Sequence, residues 1–365
     1  MEEYVYGIDL GTTYSAVTYV HPRTGEVQEL IRLEEHGFTL PSAVLFLPGG
    51  RVKVGRSAIE NSWKPNTLLA VFAKRTIGLM ENAQRWTFED HEYYPEDVSA
   101  LILRRIAQVI SNLHLPPARR VVVTHPQYFW SNQKEATREA CELAGLEPIA
   151  TLTEPHAAAI AYGAYETARR ENRDSHVLIF DLGGGTLDIS VMHLNPSVME
   201  VLASHGDSRL GGIDWDKVLI DWVKEYFRHQ TGEDPDVVMT PQQEVELQVE
   251  VEKAKQRLSS TDQCRLIAEI GQHRLSLLVE RGEFERRSEP LVRRCVDSCQ
   301  QAVRKAGLRW EQIDEILLVG SSTRMPMIRR ALEAFGRPVR ALQDPKGVVA
   351  KGAALWGYWL QQEQV

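Results

Sequence analysis

The sequence lacks a basic, apolar leader: it opens Met1-Glu2-Glu3-Tyr4-Val5, and no uncharged apolar stretch in it reaches the ~20 residues that span a bilayer. A cytoplasmic chain with no membrane partner is expected. Positive charge is in deficit too, with 42 Lys and Arg against 50 Asp and Glu for a net −8. No field therefore draws the molecule to phosphate backbones or anionic lipid, and nucleic acid is not an expected partner. Cysteine is scarce, four in 365 residues, which excludes a disulfide framework and suits a reducing compartment. Cys295 and Cys299 share a helix face and could in principle bind metal. With no His or second Cys pair at ligand spacing, they read instead, with Cys141 and Cys264, as buried small apolar residues. Also missing are Gly-x-x-x-x-Gly-Lys-Ser/Thr and a strand-turn-helix Gly-x-Gly-x-x-Gly, so the chain is neither a P-loop nor a dinucleotide-binding protein. What remains is globular in composition, 43% hydrophobic and 25% charged. Its length suggests two or three domains of ~100–200 residues, or one large bilobal unit.

The informative feature that is present is an internal echo. Ile8-Asp9-Leu10-Gly11-Thr12-Thr13 and Phe180-Asp181-Leu182-Gly183-Gly184-Gly185-Thr186 each follow an apolar strand and precede another, which implies two similar halves. In the first, residues 5–8 and 15–19 predict strands around a tight turn at 9–13, and 21–25 turns into a third. In the second, 177–180, 188–192 and 198–202 repeat the meander, with Asn195-Pro196 at its second turn. Later runs, Val121-Val122-Val123 and Ile316-Leu317-Leu318-Val319, predict buried parallel strands. Trp215, Val218, Leu219, Trp222, Val223 and Phe227 fall on one helical face that Gly232 ends. Leu247, Val251, Ala254 and Leu258 mark a second helix after Pro241, and a third begins near Ser131. Two stretches interrupt the repeat, about 36–113 and about 225–309, and read as inserted subdomains. The halves then meet where the two Asp-Leu-Gly turns face each other, a place for a ligand gripped from both sides.

Backbone N–H groups reach a phosphate only where no side chain obstructs them. Gly183-Gly184-Gly185 directly after a strand meets that need, as does Gly11-Thr12-Thr13. Both are candidate phosphate hairpins, although a lone glycine triplet equally fits a plain turn. Asp9, Asp181 and Asp188 lie at strand ends around these turns, where apolar surroundings make uncompensated charge costly. Singly, each fits a turn-stabilising side chain. Together they fit Mg²⁺, which keeps several waters and takes one or two carboxylates plus substrate phosphates, so they would hold it mainly through water.

Gly7-Ile8-Asp9-Leu10-Gly11-Thr12-Thr13-Tyr14-Ser15, Thr153-Glu154-Pro155 with Ala157-Ala158-Ala159-Ile160-Ala161-Tyr162-Gly163, and Asp181-Leu182-Gly183-Gly184-Gly185-Thr186 carry a resemblance. It continues through Gly206-Asp207, Leu210-Gly211-Gly212-Ile213-Asp214, residues 252–260 and Val319-Gly320-Ser321-Ser322-Thr323-Arg324-Met325-Pro326. The chain resembles, over nearly its whole length, the nucleotide-binding domain of the seventy-kilodalton heat-shock chaperones, the DnaK-like proteins. The resemblance implies an α/β, actin-like ATPase fold of two lobes, each with a duplicated mixed β-sheet core flanked by helices, around a central nucleotide cleft. Lobe I would be 1–167 completed by a C-terminal helix 344–365, with an insertion at about 36–113; lobe II would be 168–343, with an insertion at about 225–309.

The implied cofactors are ATP or ADP and Mg²⁺, the latter at Asp9, Asp181 and Asp188. Ala73-Lys74-Arg75-Thr76-Ile77-Gly78 matches the segment whose lysine reaches the γ-phosphate and attacking water, so Lys74 is the implied catalytic lysine. Taken alone, a Lys-Arg pair reads as a solvated face. Glu154 and Asp181 would orient water and magnesium, and Thr186 would sit beside the γ-phosphate. Gly11, Thr12, Thr13, Tyr14, Gly183, Gly184, Gly185, Gly211 and Gly212 are implied nucleotide contacts. So are Glu252, Lys255 and Ser259 on the adenosine helix, and Gly320, Ser321, Ser322 and Arg324 in a further adenosine segment.

The departures from the family are specific. Gln256 replaces the arginine that stacks on the base, and Arg257 is rotated about 100° round the helix. Ser321 stands for a glycine and Lys346 for an acidic residue. The proline of the allosteric relay is kept as Pro126, but Lys134 and Ser131 replace its arginine and a neighbouring acid. With no linker or peptide-binding domain after residue 365, nucleotide state is not expected to couple to peptide capture. Expected partners are the nucleotide, an exchange factor or co-chaperone and an unidentified client, for a monomer. Two other functions fit the same fold: a nucleotide-gated interaction module with slow or vestigial hydrolysis, and a small-molecule kinase, for which no acceptor pocket is evident.

Overall fold

The computed structural model describes residues 4–362 except 29, 30, 35, 36, 80, 82, 343, 344 and 346. Two five-stranded sheets carry it, and they repeat one plan. In the first, Val5–Asp9 pairs antiparallel with Tyr14–Tyr19, whose first residues pair with Leu40–Pro41; on its other side it runs parallel to Arg120–His125, and that strand to Glu147–Thr153. In the second, Ser175–Leu182 pairs antiparallel with Leu187–Leu194 and that with Met199–Asp207, while Glu315–Val319 and Val339–Ala341 run parallel on the far side. The duplication read from two short motifs is thus a duplication of hydrogen-bond order. Val121, Val122 and Val123 are completely buried, as parallel strands covered on both faces require.

The third strand expected after residues 21–25 is irregular. Val20 and Val27 form an isolated bridge, and Gln28 and Ile31 donate to Tyr19 and Val17, without a continuous ladder among the described residues. The regular third pairing is the short Leu40–Pro41.

The helices follow their apolar stripes. Gly212–Thr231 buries Trp215, Leu219, Val223 and Phe227 and stops at Gly232, whose φ of 75° is the left-handed conformation of a C-cap. It runs through the expected boundary near 225. Pro241–Leu258 starts on a Thr240–Gln243 capping box and buries Leu247, Val251, Ala254 and Leu258. The second insertion also holds the hairpin Gln263–Ile270 with His273–Glu280, and the helix Arg281–Lys305 leads back to the sheet. In the first, a three-stranded sheet of Ala43–Leu47, Arg51–Val54 and Leu68–Val71 is followed by the helix Pro95–Asn112, which packs on Ser131–Leu143. The expected start of that insertion, residue 36, lies outside the described residues.

Each sheet has its own core, and a third joins them. Val5 and Val122 of the first sheet, Ala157 and Ile160 of the helix Glu154–Ala161, Ile179 and Leu317 of the second sheet, and Val349 and Ala353 of the final helix Val348–Gln362 form one cluster. The two helices touch so closely that a Cβ on Gly352 would lie 1.8 Å from the Ala157 carbonyl oxygen. This shared core sets the strand ends bearing Asp9 and Asp181 around one cleft. Cys141, Cys295 and Cys299 are buried free thiols, and Cys264 is half-buried. Among the described residues no helix is long and apolar enough to cross a membrane.

Candidate active site

Sheet register places the acids. In the first hairpin Asp9 stands opposite Ala16, whereas in the second Asp181 stands opposite Asp188, two carboxylates across one ladder. All three line a cleft of about 540 Å³, within the size range of small-molecule sites. Burial, with the charge of Glu154, pushes the Asp188 carboxyl up to about 7, against a hydrogen bond from Thr186. Burial and the charges of Glu154, Asp188 and Asp9 hold Asp181 well above the usual carboxylate range. Asp9 is raised too, chiefly by burial, with Lys74 opposing; the Thr124 hydroxyl donates to it at 3.3 Å.

Lys74 faces this cluster, 6% exposed, with Nζ 2.5 Å from Glu154 Oε1. Burial disfavours its charge, but Glu154, then Asp9 and Asp188, outweigh that and keep the ammonium protonated above the ordinary lysine range. Its place is set by a backbone device. Phe72, after the strand Leu68–Val71, adopts a left-handed φ of 60°, and the chain turns into the single 3-10 turn Ala73–Arg75. Arg75 lies 4.5 Å from the Phe72 ring centroid and donates to the Gly185 carbonyl at 3.0 Å, joining the first insertion to the second lobe's glycine hairpin. Glu154 opens the helix Glu154–Ala161, where the dipole favours a carboxylate.

The two hairpin tips meet. A Cβ on Gly184 would lie 2.7 Å from Thr13 Cγ2, and one on Gly211 2.5 Å from Gly185 Cα. Thr13 Oγ1 is buried and finds no hydrogen-bond partner among the described residues. Gly11, Thr12, Thr13, Tyr14, Gly183, Gly184, Gly185 and Thr186 all line the cleft. Gly211 and Gly212 do not. They back the glycine hairpin instead: Gly212 N–H donates to the Gly183 carbonyl at 3.0 Å and Ile213 N–H to that of Gly184 at 2.8 Å.

At the other end of the cleft, the Tyr14 hydroxyl donates to Glu252 across the lobes, and Gln256 Nε2 donates to the same carboxylate at 3.4 Å. Lys255 is engaged within lobe II, 2.8 Å from Asp216 and donating to the Gly212 carbonyl at 2.8 Å. Ser259 donates to the Lys255 carbonyl at 3.3 Å. Gln256 is on the cleft wall and Arg257 is not. Gly320, at φ 84°, leaves no room for a side chain, since a Cβ would lie 2.3 Å from the Leu182 carbonyl oxygen; Ser321, Ser322 and Arg324 follow it on the wall. Pro126 is on the wall as well, just before the helix that opens at Ser131 and carries Lys134, while Lys346 lies outside the described residues.

Sequence reasoning missed Asp216, Arg75, Thr124 and Ser42, whose hydroxyl donates to the Gly11 carbonyl at 2.7 Å. Asp216 could have been noticed as an acid beside Trp215 on the helix's buried stripe; its carboxyl is pushed up to about 6 by burial, against Lys255. Four carboxylates, Asp9, Glu154, Asp181 and Asp188, thus face one ammonium. Among the described residues no three His, Cys, Asp or Glu side chains converge into a direct metal cage. Buried carboxylates grouped at one end of a cleft have the chemistry of a site for a divalent cation that keeps its water shell.

The comparisons with known proteins show the family. A family model described as Hsp70 protein matches residues 5–365. The chaperone protein DnaK of Methanothermobacter thermautotrophicus (strain Delta H) is 35% identical over 369 residues, covering 98% of this chain and 60% of the relative. This chain thus spans about three-fifths of that relative's length. With its duplicated sheets, paired hairpins and end-to-end family match, the chain belongs to the Hsp70 family and has the actin-like, two-lobed α/β fold.

Proposed function

We propose that the cleft binds ATP with Mg²⁺ and hydrolyses the β–γ bond with water as nucleophile, and that the lobe angle carries the nucleotide state to a partner. The observation that carries this reading is the meeting of the two hairpins: Thr13 Oγ1 is buried and unpartnered, beside glycines with no side chains, in front of Lys74 and the carboxylates.

The amides of residues 11–14 and 183–185 bind the phosphate oxygens, and the Thr13 hydroxyl gains the partner it lacks. Lys74, held by Glu154, orients the water and offers its charge where negative charge develops on the γ-phosphate. Glu154 and Asp181 accept hydrogen bonds from that water, and Thr186 positions the γ-phosphate. Asp9, Asp181 and Asp188 would hold a magnesium ion, mainly through its waters. Magnesium, when bound, neutralises charge on the β- and γ-oxygens. At the other end Glu252, Lys255, Gln256 and Ser259 face Ser321 and Arg324 around the adenosine. A chaperone's name on the relative supports a protein partner: an exchange factor, a co-chaperone or a client. Lys134 and Ser131 support a weakened coupling to unfolded peptide, because lysine cannot reproduce a bidentate guanidinium contact.

The test is calorimetric titration with ATP, with and without Mg²⁺, followed by single-turnover phosphate release on the same sample. Magnesium-dependent binding and release support the reading. Binding without release contradicts the catalytic half, and no binding contradicts both.

A further inference from the structure

A second cavity, of about 340 Å³, opens behind the catalytic carboxylates. It shares Tyr128, Glu154, Asp181 and Asp188 with the nucleotide cleft, so these four side chains wall both spaces. The shared wall is built on sheet register. Asp188 pairs in register with Gly206, and a Cβ on Gly206 would lie 3.3 Å from Asp188 Oδ1. It would also lie 2.4 Å from the Leu187 carbonyl oxygen, so only glycine lets the strand approach the carboxylate this closely. Two residues along the same face, Ser190 pairs with Ser204, their hydroxyl oxygens 3.1 Å apart. At the outer rim the exposed Lys305 has Nζ 3.0 Å from His205 Nδ1. Asp207, also on this wall, is tied to Arg294 at 2.6 Å and adds no bare negative charge.

Resting on the ATPase reading above, we propose that this rear cavity is the path by which cleaved inorganic phosphate leaves while the nucleoside diphosphate still fills the front cleft. Hydrolysis leaves an anion beside Asp181, Asp188 and Glu154, which repel it. The hydroxyls of Ser190 and Ser204 offer donors along the way, and the Lys305 ammonium attracts the anion at the rim. The diphosphate, anchored on both hairpins, blocks the other direction.

The experiment uses the whole chain and inorganic phosphate as probe. The magnesium–ADP complex is loaded with phosphate, and phosphate escape is timed with a fluorescent phosphate sensor. Narrowing the path with Ser204→Phe should slow uptake and escape by about tenfold while equilibrium uptake stays within about twofold, the signature of a gate rather than a binding contact. Lys305→Glu, at an exposed side chain, should slow uptake by about threefold or more, with a larger effect at low salt. If Ser204→Phe does not fold, Lys305→Glu decides alone. Wild-type rates in the folded variants would overturn the exit, and so would ADP binding without phosphate uptake, while both leave nucleotide binding intact. Failure of ADP itself to bind would overturn the underlying reading and the exit together.

Discussion

The two ends of the cleft are built differently. At the proposed phosphate end every expected residue on the cleft wall except Lys74 sits on or beside a strand end, and the hairpins are packed so tightly that Gly184 has no room for a methyl group next to Thr13. At the proposed adenosine end one side is a single face of Pro241–Leu258 with its C-cap Ser259, a helix in the second insertion, set against the turn Ser321–Arg324, and the helix offers an exposed Gln256. Where sheet register fixes a residue, a change disturbs two lobes; where a helix face offers it to solvent, a change disturbs one contact. The phosphate end should therefore carry both recognition and chemistry, and the adenosine end should tolerate replacement.

The largest effect that would break this contrast concerns Lys74. Lys74→Ala should reduce single-turnover hydrolysis by about 10²–10³-fold, while ATP affinity changes by less than about tenfold, because its charge acts mainly where the transition state develops negative charge. An equal loss in binding and rate would assign Lys74 to ground-state binding. Next is Gly184→Val. Overpacking of about 1–3 kcal/mol against Thr13 should weaken ATP binding about 5–150-fold by calorimetry. An unchanged affinity would show that the hairpin tips are free to part.

Gln256→Arg should sharpen the contrast from the other side. A stacked guanidinium contributes ~0.5–2 kcal/mol, so ATP should bind about 2–30-fold tighter with hydrolysis in the bound state unchanged. No tightening would mean that a different residue already covers the base.

The smallest effect is on stability. Without nucleotide, folded Asp188 keeps its proton up to about pH 7, whereas an unfolded aspartate loses it near about pH 4. This group's contribution therefore falls as pH rises between those values. Asp188→Asn removes it, so the Tm of the variant should gain on wild type from pH 5 to pH 8. A difference that is flat with pH would place Asp188 in an ordinary aqueous setting.

The same contrast explains how much was legible in the sequence. The duplicated sheets and their acids could be read because Ile8-Asp9-Leu10-Gly11 and Phe180-Asp181-Leu182-Gly183 are local strings whose neighbours in the chain are their neighbours in the hairpin. Lys74, Gln256 and Arg324 came from family resemblance alone. Pairings between distant segments left no local trace: Arg75 with Gly185, Lys255 with Asp216, and Tyr14 with Glu252. The resemblance implied Gly211 and Gly212 as nucleotide contacts; here the backbone they approach is the hairpin's own. The segment after Tyr19 was read as a strand because turn residues precede it, although among the described residues only scattered backbone bonds hold it to the sheet.

The claim that the phosphate end dominates is tested most directly by calorimetry of ADP against adenosine, both with Mg²⁺. Two or more charge-assisted hydrogen bonds from the hairpins should make ADP at least about 100-fold the tighter ligand. Adenosine binding within about tenfold of ADP would contradict the account and move recognition to the helix that carries Glu252 and Gln256.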